Sequence, residues 1–341
     1  MSSEQKIIYW VCICFVIAII AIIVNFIQNQ KKHKQINKQV QISDQEIQFV
    51  DEIVSQMEET IDKLEQERKS KIPLIVLTLI LCNIPVLIYI LFIKERANLI
   101  GEAFGLETVS IVLAIIIIHE YLLKNYYQEF KENIITQIIK LLGGENLEYN
   151  HKNFISTTDF GASHLFDFFN NYSGDDLIIG EINNLKFKCS ELHVSYTTGS
   201  GKSKRTRQVF NGLFFVIDIP QNIDKDKCFG TNSDFGDEIL LDNVEFNELF
   251  KVFGNDSTEV FYILSSKVLE KMVNFVNKTG HNFQFSFKEN KLYIAIESGL
   301  LKRFFEPPIF ISLWDYKIYD EIVMDFKLIF ELLNQLEFRR S

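Results

Sequence analysis

Ile7–Ile27 is apolar except for Asn25, and Ile72–Ile93 is broken only by Thr78, Asn83, Pro73 and Pro85. At about 1.5 Å per residue, each run can cover the roughly 30 Å hydrocarbon core of a bilayer as a helix. A helix is also the form in which such a segment satisfies its own backbone hydrogen bonds in lipid. Pro73 lies near the start of its run and costs little there, whereas Pro85 lies mid-run and predicts a kink. A third run, Leu106–Leu123, has Glu107 and Thr108 at one end and His119 and Glu120 near the other. It spans if those polar side chains reach the headgroups. No cleavage pattern follows the first run, which therefore reads as an uncleaved anchor.

The pattern then changes period. Between 28 and 71 the positions Val40, Ile47, Val54 and Ile61 recur every seven residues, and Ser43, Val50, Met57 and Leu64 follow three positions later, with Ile36 extending that series. This is an a/d seam, and it predicts a coiled helix over 36–64. The seam serves either self-association and partner binding or packing on the chain's own C-terminal part.

Beyond residue 121 the texture is mixed. Tyr126, Phe130, Ile134, Ile138 and Leu141 share one helix face, which ends at Gly143-Gly144. A short helix is predicted after Ser156, reaching Phe169. Leu177–Glu181, Leu185–Tyr196 and Gln208–Ile219 read as strands, with the polar segment Thr197–Arg207 as a hairpin tip. A helix is predicted from an N-cap at Ser265 to Asn277. Phe283, Phe285 and Phe287 alternate toward Glu289-Asn290, and Leu292, Ile294 and Ile296 continue beyond it, as a hairpin would. A last helix is predicted over Tyr319–Leu336. Strands and helices segregate, so the fold class is α+β, with N-terminal transmembrane helices and a coiled helix preceding a domain of antiparallel strands and packed helices. The expected organisation is an anchor at 1–27, a cytoplasmic coiled-coil helix at 28–71, a transmembrane hairpin at 72–124 and a soluble α+β domain at 125–341.

Basic residues prefer the cytoplasmic side of a membrane. Lys31, Lys32, Lys34, Lys38, Arg68, Lys69 and Lys71 flank the 28–71 segment, and Lys124, Lys131 and Lys140 follow the third run. These place 28–71 and the soluble domain in the cytoplasm, against Lys94 and Arg96 in the opposite loop. With a formal net charge of -10, the chain repels phosphate backbones, so nucleic acid is excluded as a partner. The cysteines Cys12, Cys14, Cys82, Cys189 and Cys228 form no CxxC pattern and suit a reducing compartment.

Candidate chemistry is sparse. Gly199-Ser200-Gly201-Lys202-Ser203 imitates the end of a phosphate-binding loop, but Tyr196 stands where the leading glycine belongs, and a β-type run follows instead of a helix. Asp224 to Asp242 is acidic, but Phe229 occupies the calcium-loop glycine position. His33, His119, His151, His164, His193 and His281 show no ligand spacing, and no nucleophile elbow is present. No catalytic, cofactor-binding or metal residue is assigned, and no cofactor is expected.

The stretch from Tyr126 to Phe338 resembles a bacterial membrane protein family, domain of unknown function 3137. The resemblance rests on the ordered series Tyr127–Lys131, Ser163–Phe166, Asp175-Asp176 with Gly180, Ser190-Glu191, Phe210–Phe214, Glu245-Phe246, Phe250–Phe253, Leu292–Ile296 and Phe305–Pro307. It implies a membrane-anchored module with a helical hairpin before the soluble domain, and companions among other envelope proteins. It supplies no catalytic residues. The leading expectation is a non-enzymatic partner-binding module of the cell membrane, multi-pass, meeting the lipid bilayer and a protein partner or a second copy through the 36–64 coil. The alternative is a membrane-anchored enzyme, a hydrolase for example, with a dispersed site built from residues such as Asp175, Asp176, Glu191 and His193.

Overall fold

The fold is drawn from a computed structural model, and it describes residues 44–92, 99–143, 146–182, 184–219, 227–280, 282–298 and 304–323, with 326 and 330. The first apolar run and the start of the heptad series lie outside these residues. The described chain falls into two compact units. One comprises Ser55–Phe130 with Pro307–Asp315; the other comprises Lys131–Glu306 with the residues from Tyr316 on, and Glu52–Val54 is counted with it.

The heptad segment forms two helices, α1 (Asp44–Gln56) and α2 (Glu58–Phe92), divided at Met57. Its described seam residues Val50, Val54, Met57, Ile61 and Leu64 are all buried within the single chain, and so is Ile53 beside them. Helix α2 carries Pro73 and Pro85 inside it and stays helical through both. Polar side chains there bond preceding-turn carbonyls, Thr78 Oγ1 to Leu74 O at 2.8 Å and Asn83 Nδ2 to Leu79 O at 2.7 Å. Helix α3 (Leu99–Ile117) follows, and Ser110 donates across to the carbonyl of Cys82 on α2. Two helices, Glu58–Val86 and Gly105–Leu142, are long and apolar enough to cross a membrane.

The first unit is closed by residues from far along the chain. Arg68 donates through Nε and Nη2 to the two oxygens of Glu65, each at 2.8 Å, in a buried fork. Its Nη1 reaches Ile309 O at 2.8 Å. Glu65 also accepts from Ser312 Oγ at 3.0 Å and Leu313 N at 2.9 Å, and Asp62 accepts from Trp314 Nε1 at 3.2 Å. A buried pair of this kind offsets its desolvation only with good geometry and further hydrogen bonds to its remaining groups, and the 309–313 segment supplies three of these.

Residues Ile118–Leu123 form a π-helical stretch, then α4 (Lys124–Phe130), a second π-helical stretch (Lys131–Ile135) and α5 (Thr136–Gly143). Tyr126, Phe130, Ile134 and Ile138 are buried as their spacing predicts, while Leu141 is exposed. The second unit is built on a nine-stranded antiparallel sheet in the order β1-β2-β3-β4-β9-β8-β5-β7-β6. Its strands are β1 (Leu147–Asn150), β2 (Asn171–Ile182), β3 (Leu185–Thr198), β4 (Arg205–Asp218), β5 (Cys228–Gly230), β6 (Asp237–Ile239), β7 (Val252–Gly254), β8 (Phe283–Lys288) and β9 (Lys291–Glu297). Short helices α6 (Thr157–Ala162), α7 (Val244–Leu249) and α8 (Ser257–Ile263), and the longer α9 (Ser266–Thr279), complete the part of the second unit that precedes a last helical turn at 317–323.

The 197–207 segment is shorter as a loop than its polarity predicts. Strands β3 and β4 pair through Thr198↔Arg205, and only a tight turn at Gly201–Ser203 remains. The phosphate-loop lookalike is therefore the tip of a β-hairpin. The predicted helix after Ser156 is also shorter. Ser156 caps it, accepting from Asp159 N at 3.1 Å, but it ends at Ala162.

Most of the phenylalanines that make the composition unusual lie inside. One face of the sheet packs Leu192, Val194, Phe210, Phe214, Val216, Tyr293 and Ala295 against Phe160 and its neighbours. The Phe160 ring centroid lies 5.2 Å from Phe166 and 4.9 Å from Phe214. Each such ring contributes about 1.5–3 kcal/mol by leaving water. The opposite face carries Phe187, Cys189, Leu213, Phe215, Phe285 and Ile294.

Replacing Arg68 by Ala is expected to leave the Glu65 carboxylate buried without its main partner, a loss of about 3–5 kcal/mol. The measurement is the denaturation midpoint of the full chain in detergent, and a change below about 1 kcal/mol contradicts it.

Candidate functional site: a buried carboxylate cluster at the end of the sheet

The second face of the sheet is apolar along most of its length and polar at one end. Strand pairing sets this up. Asp175 of β2 is opposite Glu191 of β3, and His193 of β3 is opposite Asn211 of β4. Residues directly opposite on antiparallel strands share a face, as do positions i and i+2 along one strand. Asp175, Glu191, His193 and Asn211 therefore line up together.

Asp176 joins them because β2 is irregular. The register passes from Asp175↔Glu191 to Ile178↔Cys189, so β2 holds one residue more than β3 over this interval. Asp176 itself sits in the left-handed region at φ 59°. In a regular strand Asp175 and Asp176 would point to opposite faces; the bulge re-aims one of them. Both carboxylates then meet the same ammonium. Lys131 Nζ donates to Asp175 Oδ2 at 2.8 Å and to Asp176 Oδ2 at 2.7 Å. Lys131 opens the π-helical stretch and is 4% exposed, while Asp176 is 0% and Glu191 1% exposed. The second oxygen of Asp176 accepts from the Tyr149 hydroxyl. Glu191 Oε2 accepts from Phe304 N at 3.1 Å.

Two carboxylate oxygens of the cluster are buried without a hydrogen-bond partner, Asp175 Oδ1 and Glu191 Oε1. His193 Nε2 stands 3.9 Å from Glu191 Oε1. The other ring nitrogen of His193 bonds to Asn211 Oδ1, Asn211 Nδ2 donates to Ser298 Oγ at 3.0 Å, and Ser298 N donates to Asn211 O at 2.8 Å. That last approach needs glycine at 212, where φ is 154° and a Cβ would lie 2.0 Å from Ile296 O.

Three carboxyl groups, two of them fully buried, against one ammonium hold more negative charge than the site can neutralise. Burial, then the neighbouring Asp175 and Asp176 carboxylates, push Glu191 up to about 9 against the ammonium of Lys131. Burial raises Asp176 to about 7, opposed by Lys131 and by the Tyr149 hydroxyl. Burial and the Asp176 carboxylate raise Tyr149 as well. Burial also keeps the Cys189 thiol well above its ordinary value, so it is no nucleophile. One oxygen each from Asp175, Asp176 and Glu191 lies within 4.8 Å of the others, compact enough for a metal ion. The cluster can thus take up protons or a cation.

Of the dispersed residues weighed in the sequence, Asp175, Asp176, Glu191 and His193 all converge here. Tyr149 and Ser298 were not singled out, and Asn211 entered only within the family series. Lys131 stood as a membrane-side charge, and only its place beside the buried Phe130 and Ile134 hinted otherwise. A separate open groove of about 630 Å³ on the sheet is lined by Glu181, Lys186, Lys188, Asp218 and Lys291 among others, and none of the four converging residues lines it.

Residues 208–338 match the family described as "Protein of unknown function (DUF3137)". The match takes in Asn211, Ser298 and Phe304, while Lys131, Asp175, Asp176, Glu191 and His193 precede it. No curated protein and no solved structure matches the chain.

Lys131→Met is expected to cost about 3–5 kcal/mol of stability at neutral pH by leaving Asp175 and Asp176 without their ammonium. The sign of the pH dependence follows from the raised carboxyls. The native state then keeps protons that the unfolded chain releases, so stability falls as pH rises above the ordinary carboxylate range. The deficit of the variant relative to wild type should therefore be smaller at about pH 5 than at about pH 8, read from denaturation midpoints. A deficit independent of pH contradicts the assignment.

Proposed function

Given a family whose function is unknown, we propose that the protein is a membrane-anchored, non-enzymatic module whose second unit binds a protein partner beside the bilayer. The observation that carries the anchoring is the belt of large apolar side chains left uncovered on both long helices. Leu74, Val76, Leu77, Ile80, Leu81 and Ile84 on α2, and Val109, Val112, Leu113, Ile115 and Ile116 on α3, are all exposed, Ile80 at 56% and Val109 at 65%. A soluble protein does not leave such faces to water, whereas hydrocarbon satisfies them and needs no backbone partner from a helix.

Both ends of this hairpin then lie on one side. Lys69, Lys71 and Lys124 flank it, pairing one turn back with Glu65, Glu67 and Glu120, and basic flanks favour the cytoplasmic side. Arg68 and Lys131 are consumed in buried pairs and add little to that bias.

The convergent polar residues support a non-enzymatic reading. Their central members are shut inside the sheet's packing, and a substrate needs a concave opening to reach reacting groups. Burial of the α1–α2 seam in the single chain supports an intramolecular use for those residues, and leaves partner binding to other surfaces. Leu240, Val244, Phe261 and Tyr262 are exposed apolar side chains on the second unit.

The full chain is expected to stay with the pelleted membrane after alkaline carbonate extraction; recovery in the supernatant would end the anchored reading. Single cysteines placed at Val50 or Met57 should give no interchain crosslink, and efficient crosslinking at either site would return the seam to self-association.

A further inference from the structure

We infer that the end of the β3–β4 hairpin is a second membrane contact, which docks on the phosphate groups of an anionic lipid surface. The inference rests on the anchored reading above and adds a lipid class to it.

The hairpin outruns the sheet that carries it. Pairing between β2 and β3 ends at Asn171↔Ser195, and β9 ends at Glu297 opposite Gly212. Strands β3 and β4 go on without these neighbours through Tyr196↔Arg207, Thr197↔Thr206 and Thr198↔Arg205 to the turn at Gly201–Ser203. The result is a two-stranded ribbon of about 10 Å before the turn. Arg205, Thr206, Arg207 and Gln208 are exposed in succession, so both faces of the ribbon meet solvent. Asn170 steadies its base by bonding both backbone groups of Thr197. Two bare strands gain little stability by themselves, and these bury none of the core.

The charge of the ribbon is of one sign. Lys202, Lys204, Arg205 and Arg207 lie within six residues, and no Asp or Glu occurs between Glu191 and Asp218, in a chain of net charge -10. Lys188, Lys227 and Lys291 of the same unit pair with carboxylates. Lys204, Arg205 and Arg207 have no ion-pair partner among the described residues. Cations held clear of the protein's own carboxylates attract an anionic surface, and the arginine fork matches phosphate oxygens.

The apolar neighbours select lipid over an acidic protein. Phe168, two residues before Asn170, is 83% exposed, and Tyr196, opposite Arg207, is exposed as well. Aromatic rings beside basic side chains suit the bilayer interface, where the ring enters the headgroup layer and the cation meets phosphate. Connectivity adds to this. Lys131 opens the second unit eight residues after the third apolar run ends at Leu123, so a short tether keeps headgroups at high effective concentration.

The test places the full chain in nanodiscs, with a fluorescent maleimide on Ser200→Cys in a Cys228→Ser background, and the labelled Cys228→Ser parent as blank. Quenching by lipid spin-labelled at the headgroup is expected to be at least about twofold greater in discs containing phosphatidylglycerol than in discs of phosphatidylcholine alone. Salt at about 1 M removes the difference, and so does the combined change Lys204→Gln, Arg205→Gln and Arg207→Gln. Equal quenching in the two lipids overturns the inference. A probe that answers added polyglutamate and ignores phosphatidylglycerol overturns it too, and makes the tip a protein-docking device. Recovery of the chain outside the discs defeats the anchoring and the inference with it, and that failure is separately visible by gel filtration. Circular dichroism checks folding, and the salt arm needs no charge variant.

Discussion

The second unit depends on a single extra residue in a strand. Because β2 carries one residue more than β3 between Asp175 and Ile178, two adjacent aspartates present their carboxylates to the same side and share the ammonium of Lys131. A regular strand could offer only one of them. The ammonium arrives from a π-helical turn, whose wider winding also departs from the ordinary period. Two local irregularities, one in a strand and one in a helix, thus meet at one point. Each alone would be a defect; together they fix the helical segment onto the end of the sheet.

This contact is specific more than it is strongly stabilising. Removing several charges from water is costly, and a well-packed apolar substitute could serve stability equally well. What the cluster adds is position: a carboxylate left slightly out of place would lose its hydrogen bonds and keep its desolvation cost. The same logic holds in the first unit, where the Glu65–Arg68 fork is satisfied by the backbone of the 309–313 segment. The two units use polar contacts in the same manner, as fasteners between distant stretches of chain.

The elements with a clear period were legible in the sequence. The β8–β9 hairpin turns at Glu289-Asn290, both with positive φ, and α9 ends on Gly280 in the left-handed region. The long apolar helices and the buried faces of β3 and β4 followed from alternation and run length. What stayed hidden lacks a period. Strands β5, β6 and β7 are three residues each, too short for alternation to register, and α7 and α8 are single turns or little more. The candidate site was half visible. Glu191 and His193 fell within a predicted strand and Asp175-Asp176 just before one, but a bulge and a π-turn leave no mark in hydropathy. Lys131 reads as a surface lysine until its helix is placed.

The fork at Glu65 and Arg68 also sets a timetable. Arg68 and Ile309 are 241 positions apart. At about 5–20 residues per second of synthesis, the interval between making the fork and making its cover is roughly ten to fifty seconds. Throughout that time the emerging helix carries a carboxylate and a guanidinium whose final acceptors and donors have not yet been translated. A segment made some 240 positions later is therefore the one that locks the fork.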